Sequence, residues 1–411
     1  MRRAIVAGVL LTLLASALTA VPAAAGSPSP PPRPASGFGS SAGYVSAGAT
    51  EFSTGSELAG TKVWWFVPDT LRDGTSAPVV VLLHGFALLA PDIYQGHIDH
   101  LTAQGIIVIY PQFNQGFPAL LFDNNQNTMR SRAIDATNTA LGSIGGAAGP
   151  IHLYGHSLGG LIAATWQSAG GPAPATVTLA NPSTAEGGPF GGTPIDWQQE
   201  AAATTAPTII LTGADDDIAP PQQSLDLFAA LTGAPTRVVH QATTDTYGSP
   251  DLDADHMAPI LDDGIIPGFM MDFLGGDAED DAMDHRYYQA ALDAAIAGQP
   301  SLAFDPGQWS DGRPVAAPTI LASDLPPPPV AALAVDLSAD RAGVVAGEAI
   351  GYTVEIENTG DLPVGDITVA VPAAPACDRA AGEVADLAVG AEATVSCSFT
   401  PTTSDHLGAY D

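Results

Sequence analysis

Five short runs of β-branched and aliphatic residues, each ending in turn residues, constrain this chain more than anything else in it. They are APVVVLLHGF (77–86), GIIVIYP (105–111), GPIHLYG (149–155), ATVTLAN (175–181) and PTIILTG (207–213). Such uninterrupted runs need cover on both faces, which the strands of a mostly parallel sheet have. TKVWWFVP (61–68) reads as a strand ahead of them and TRVVHQA (236–242) as one after them. Between the runs, DIYQGHIDHLTAQ (92–104) and QQSLDLFAALTG (222–233) carry helical spacing. Strand alternating with helix predicts an α/β domain with a doubly wound, mostly parallel sheet. In that architecture functional residues gather at the carboxyl ends of the strands.

The chain does not read as one piece. MRRAIVAGVLLTLLASALTAVPAAAG opens it with two arginines, a short apolar stretch and an A-x-A site, the pattern of a signal peptide over 1–25. Export to the cell exterior is therefore expected. Residues 26–41 are rich in Pro, Ser and Gly and read as a flexible or polyproline spacer. The α/β body is expected over 42–323, and DLPPPPV (324–330) as a second, proline-stiffened linker. Over 331–411 the pattern changes to apolar–polar alternation in AALAVDLSAD, EAIGYTVEIENTG, DITVAVP and AEATVSCSFTP, which predicts a small antiparallel β-sandwich. Cys377 and Cys397 are the chain's two cysteines, and in an exported protein they suggest a disulfide rather than a metal site or a catalytic thiol. With 12 Lys and Arg against 44 Asp and Glu, the surface repels nucleic acid and anionic membranes, so neither is expected as a partner.

The chemistry concentrates in Y-G-H-S-L-G-G (154–160), which joins a strand to the helical LIAATWQSA. That context is the one a G-x-S-x-G nucleophile elbow requires. Gly155 and Gly159 permit a turn too tight for a side chain, which lifts Ser157 above the sheet. The serine needs a base, and the chain order of such folds is Ser, then acid, then His. Of nine histidines, His84 belongs to the loop after the first long apolar run. His97 and His100 read as helix surface and His152 as strand interior. His285 follows an acidic run, and His406 lies in the tail. His156, inside the elbow, is expected to line the substrate pocket with His84. His240 is mid-strand, where the sheet fixes it. His256, in the loop DADHMAPILDD, reaches back over the serine and is preferred as base, with His240 as the alternative.

GADDDIAP (213–220) offers three consecutive aspartates for the acid. The spacing G-x-x-D with a proline four residues later selects Asp216; Asp217 is the alternative, and Asp215 reads as a local cap. The oxyanion donors are expected to be the amides of Leu158 and Phe86, each typically worth ~3–4 kcal/mol in such sites. The acidic run GGDAEDDAMDH (275–285) and Asp251, Asp253 and Asp255 lack the spacing of a calcium loop and read as solvated acidic loops, so no metal is expected. Trp64 and Trp65 read as core and sheet surface.

H-G-F, G-H-S-L-G-G, D-x-I-A-P and H-M-A-P, in that order over about 45–300, resemble the bacterial polyester hydrolase, lipase and cutinase group of α/β-hydrolases. H-G-F ahead of a helix and H-M ahead of L-D-D are also similar to chlorophyllase-like esterases. The resemblance implies an α/β-hydrolase sheet, a Ser157–His256–Asp216 triad with Phe86 and Leu158 as oxyanion donors, no cofactor, and a carboxylic ester as substrate, lipid or polyester-like. The chain departs from the polyester hydrolases in a longer, more acidic segment before His256 (TTDTYGSPDLDAD) and in an Asn181-Pro182 turn without their tryptophan. The tail resembles Ig-like modules of bacterial surface proteins, in which a YTVxIxNTG strand-turn precedes a cysteine pair. That implies cell-wall or surface attachment. Two other readings remain open: a peptidase or amidase on the same triad, and an inactive hydrolase body whose tail does the binding.

Overall fold

All five side chains of Val79–Leu83 are fully buried, because helices cover both faces of the sheet they belong to. The computed structural model describes residues 27–185, 192–261, 278–299, 303–325, 331–371 and 375–401. The expected signal peptide, the four prolines at 326–329 and His406 lie outside the described residues. The chain divides into two compact units, one up to Leu325 and one from Pro326.

The first unit is built on a sheet of nine strands among the described residues: β1 (Ala49–Thr54), β2 (Val63–Pro68), β3 (Ala77–Leu83), β4 (Ile107–Pro111), β5 (Ala148–His156), β6 (Thr176–Ala180), β7 (Thr208–Gly213), β8 (Arg237–Ala242) and β9 (Thr319–Ser323). Their spatial order is β1-β2-β4-β3-β5-β6-β7-β8-β9. From β4 to β8 all pairings are parallel; β1, β2 and β9 join antiparallel. This is the doubly wound, mostly parallel sheet that the aliphatic runs predict. Helices α1 (Gln95–Ala103), α2 (Gln126–Ile144), α3 (Leu158–Ala164), α4 (Trp197–Glu200), α5 (Pro221–Ala230) and α6 (Gln289–Ile296) accompany it. Since successive strand residues face opposite ways, Val80 and Leu82 pack with Ile98 of α1 and Leu292 of α6. Val79, Val81 and Leu83 pack with Met129 of α2, Leu161 of α3 and Leu227 of α5. Each run of aliphatic residues thus feeds two cores at once.

Two expectations for this unit need correction. Residues 27–41 have no regular secondary structure, as a spacer would, yet they are not free. Ser29 exchanges bonds with Ser310, the amide of Gly39 donates to Asp293, and Arg33 donates to Gln289 at 2.6 Å. His97 and His100 are buried rather than on the helix surface. His97 bonds the carbonyl of Pro259, and His100 faces Asp293 at 3.0 Å, so α1 is clamped between the loop after β8 and α6. The edge strands β1 and β9 escape the sequence reading: every residue of β1 and all but one of β9 are exposed, so burial imposes little apolar–polar alternation on them.

The second unit is a three-stranded antiparallel sheet, β10 (Leu333–Ala339), β11 (Ile350–Asn358) and β12 (Glu392–Phe399), in that order. Val354, Ile356, Ile367, Val371, Cys377, Val384, Leu387 and Val395 form its core. It is the small all-β module that the alternation predicts. DITVAVP (366–372) is not a strand among the described residues; Val369 pairs with Arg379 through a single bridge, as Val364 just before the segment does with Leu387. The disulfide joins Cys377 to Cys397, with Cys377 on the short 3-10 turn Pro375–Cys377 rather than on a strand beside β12. Among the described residues no helix is long and apolar enough to cross a membrane.

Candidate active site

Ser157 occupies the junction of β5 and α3 at φ 54° and ψ −120°, a left-handed conformation costly for a residue with a Cβ. The surroundings hold it there. Its amide donates to the carbonyl of Ala180, and its carbonyl accepts from the amide of Ser183 at 3.0 Å. A Cβ on Gly155 would strike the carbonyl of Gly159, and one on Gly159 the carbonyl of Leu83. Both glycines are therefore dictated by close backbone approach.

The loop after β8 brings His256 back over the serine. The side-chain amide of Asn181 donates to the carbonyl of Asp255 at 2.7 Å. The carboxylate of Asp255 accepts from the amides of Met257 and Ala258, which closes the turn around His256. His256 Nε2 then lies 2.9 Å from Ser157 Oγ and Nδ1 lies 2.8 Å from Asp216 Oδ2. A carboxylate only accepts, so Nδ1 carries the hydrogen and Nε2 is left to accept from the serine hydroxyl. The other oxygen of Asp216 accepts from the amides of Ile218 and Ala219 at 3.0 and 2.6 Å. Asp216 is 2% exposed, whereas Asp215 and Asp217 both face solvent. The fold thus separates three aspartates that are adjacent in sequence.

Phe86 sits in a loop whose other amides are engaged. Gly85 donates to Tyr94, Ala87 to Asn114 and Leu88 to the carbonyl of Gly85. The amide of Phe86 donates to no described residue. A Cβ on Gly85 would come within 3.4 Å of the Ser157 Cβ, so this loop passes directly beside the serine. Leu158 is the first residue of α3, and the first amides of a helix have no partner within it.

No protein-family model matches this chain, and no curated protein does. Among solved structures it is similar to the acylaminoacyl peptidase of Pyrococcus horikoshii in its orthorhombic crystal form, with a TM-score of 0.37 and 16% identity. The match covers 47% of this chain and 36% of the peptidase, so it spans about a third of that protein's length.

Two residues expected in the substrate pocket do not line it. His84 is fully buried, donates from Nδ1 to the carbonyl of Gly85 at 2.6 Å and stacks on Phe113. Burial holds it near 4, so it stays neutral. His156 is fully buried as well, between Tyr94 and the carbonyl of His256. A ring with no accessible surface cannot touch a substrate; both brace backbone instead. His240, the alternative base, lies in β8 against Phe304, and its Nε2 has no hydrogen-bond partner among the described residues. Tyr94, Asn181 and Tyr288 join the site without any sequence signal, since each resembles an ordinary buried polar residue until its partner is known.

Beside the His256 loop, Asp251, Asp253, Glu279 and Asp281 line a recess with Pro250, Ala258 and Met283. No cluster suited to a metal ion occurs among the described residues. Burial raises the carboxyl of Asp281 from 3.8 to about 7 and that of Asp255 to about 6. A carboxyl raised on folding contributes stability that is complete below its unfolded value and is lost as pH rises through its folded one. Asp281→Asn, which keeps the oxygen that accepts from Met283, should therefore raise Tm more at pH 8 than at pH 5. Calorimetry at the two pH values checks this, and an equal change at both refutes it.

Proposed function

We propose that the protein is a serine hydrolase that cleaves carboxylic esters through an acyl-enzyme. The observation that carries this reading is the unbroken series Ser157–His256–Asp216, set at the ends of β5, β8 and β7 with the amide of Phe86 alongside. Ser157 attacks the ester carbonyl while His256 takes its proton at Nε2. Asp216 holds the tautomer and stabilises the imidazolium. The amides of Phe86 and Leu158 receive the developing oxyanion. His256 then protonates the leaving alcohol, and water repeats the cycle to release the acid. No step calls for a cofactor.

Support for an ester comes from the crossover between β6 and β7. It occupies residues 181–207 and carries only the single-turn α4 and the 3-10 turn Ala201–Ala203 among the described residues. A crossover with no long helix among its described residues favours an open site over one roofed by a helical cap, and it suits a lipid or polyester-like chain approaching from outside. The test is a panel of acetate to long-acyl esters, a polyester film and peptide amides, run beside fluorophosphonate labelling. Labelling with ester turnover supports the proposal. Labelling with faster amide turnover replaces it by a peptidase, and no labelling by a binding protein.

The all-β unit is proposed as an accessory module that holds an exported enzyme at a wall or an insoluble substrate, raising its local concentration. All residues of the proposed reaction precede Pro326. A chain ending at Leu325 should keep its kcat/KM on a soluble ester within about twofold, as expected of a domain with its own core, while losing activity on a solid one. A loss of about tenfold or more on the soluble ester would contradict the division of labour.

A further inference from the structure

We propose that Tyr94 and His156 are positioning residues for this reaction, forming one buried strut between the oxyanion loop and the loop that carries the base. The inference rests on the serine-hydrolase reading above. One backbone atom fixes the direction of every bond in the strut. The carbonyl of His256 only accepts, so His156 Nε2 carries the hydrogen and donates to it at 2.9 Å. Nδ1 of the same ring is then a lone pair, and it accepts from the hydroxyl of Tyr94 at 2.8 Å. The Tyr94 oxygen in turn accepts from the amide of Gly85 at 3.0 Å. The line thus starts at the residue before Phe86, passes through the residue before Ser157 and ends on the base itself.

Tyr94 is 1% exposed and His156 not at all, so no solvent competes for these bonds. A second donor, Asn181 Nδ2, reaches the same His256 carbonyl at 3.3 Å and is held by the hydroxyl of Tyr288. The charge state suits the task. Burial, reinforced by the neighbouring His256, keeps His156 well below the ordinary histidine range. The two rings are 5.1 Å apart. A protonated His156 would oppose the positive charge that His256 gains when it takes the serine proton. A neutral relay can orient the base without that penalty.

The strut fixes the relative placement of donor, nucleophile and base, not the substrate contacts, so its loss should appear in kcat and leave KM nearly unchanged. Tyr94→Phe removes the hydroxyl and keeps the ring. It should lower kcat and the rate of fluorophosphonate labelling about 10- to 100-fold, the scale of a small misplacement of reacting groups. Tyr287→Phe is the control, because its buried hydroxyl bonds the carbonyl of His240 at 2.7 Å and takes no part in the strut. It should cost similar Tm without the loss of rate. His156→Gln, which retains a donor at the Nε2 position, should keep more activity than His156→Leu at matched Tm. That pair decides the matter if Tyr94→Phe does not fold. Labelling of Tyr94→Phe at the wild-type rate, equal rates in the two His156 variants, or a rate loss in Tyr287→Phe equal to that in Tyr94→Phe overturns the strut alone. Absence of labelling in the unaltered protein overturns the hydrolase reading together with it.

Discussion

Ser157→Ala should abolish ester hydrolysis and fluorophosphonate labelling while leaving the fold intact. The Oγ atom bonds His256, so its removal costs at most a hydrogen bond's worth of stability, about 1 kcal/mol. The backbone at 157 stays pinned by Ala180 and Ser183, and alanine tolerates φ 54° no worse than serine does. The reaction, in contrast, loses its nucleophile. Groups that act as a unit fall together, and a loss of at least about 10³-fold is expected. A folded variant with more than about one-hundredth of the original activity would remove Ser157 from the mechanism.

Asp216→Asn should be nearly as damaging, for a reason particular to this site. One carboxylate oxygen accepts from the amides of Ile218 and Ala219, and the other accepts from His256 Nδ1. An asparagine must turn its carbonyl oxygen toward the two amides, which leaves its NH₂ facing His256. Nδ1 then becomes the acceptor and the hydrogen moves to Nε2, where it blocks transfer from Ser157. A fall in kcat/KM of about 10³- to 10⁴-fold follows from the wrong tautomer. Asp217→Asn alters an exposed charge and should change kcat/KM less than about threefold. Steady-state kinetics on both variants separates them, and the reverse order would move the acid by one residue.

The sequence alone determined the class of sheet, because aliphatic runs such as Val79–Leu83 are stable only when covered on both faces. It determined the elbow too, since Gly155-x-Ser157-x-Gly159 between a strand and a helix leaves little else for the backbone to do. The placement of His256 ahead of His240 followed from a local fact, that a mid-strand ring is fixed by the sheet. Position along the chain went no further than that. His84 and His156 lie in the right motifs, yet whether a ring lines a cleft or braces it depends on what packs above it, and both are covered. Histidines on a helix give no local sign of burial, so His97 and His100 read as surface until α6 and the β8 loop supply their partners. The proline-rich stretch at 27–41 reads as a spacer because its composition disfavours helix and strand, while its anchors, Asp293, Gln289 and Ser310, come from about 250 residues further on. Among Asp215, Asp216 and Asp217, a spacing rule could express a preference, but burial made the difference, and burial is set by how the β7 and β8 loops meet. Tyr94 is the extreme case. Its hydroxyl gains meaning only from Gly85 and His156, which the fold brings to it across the sheet. Local backbone geometry can be read from neighbouring residues, whereas the partners of a polar atom are assigned by the folded chain.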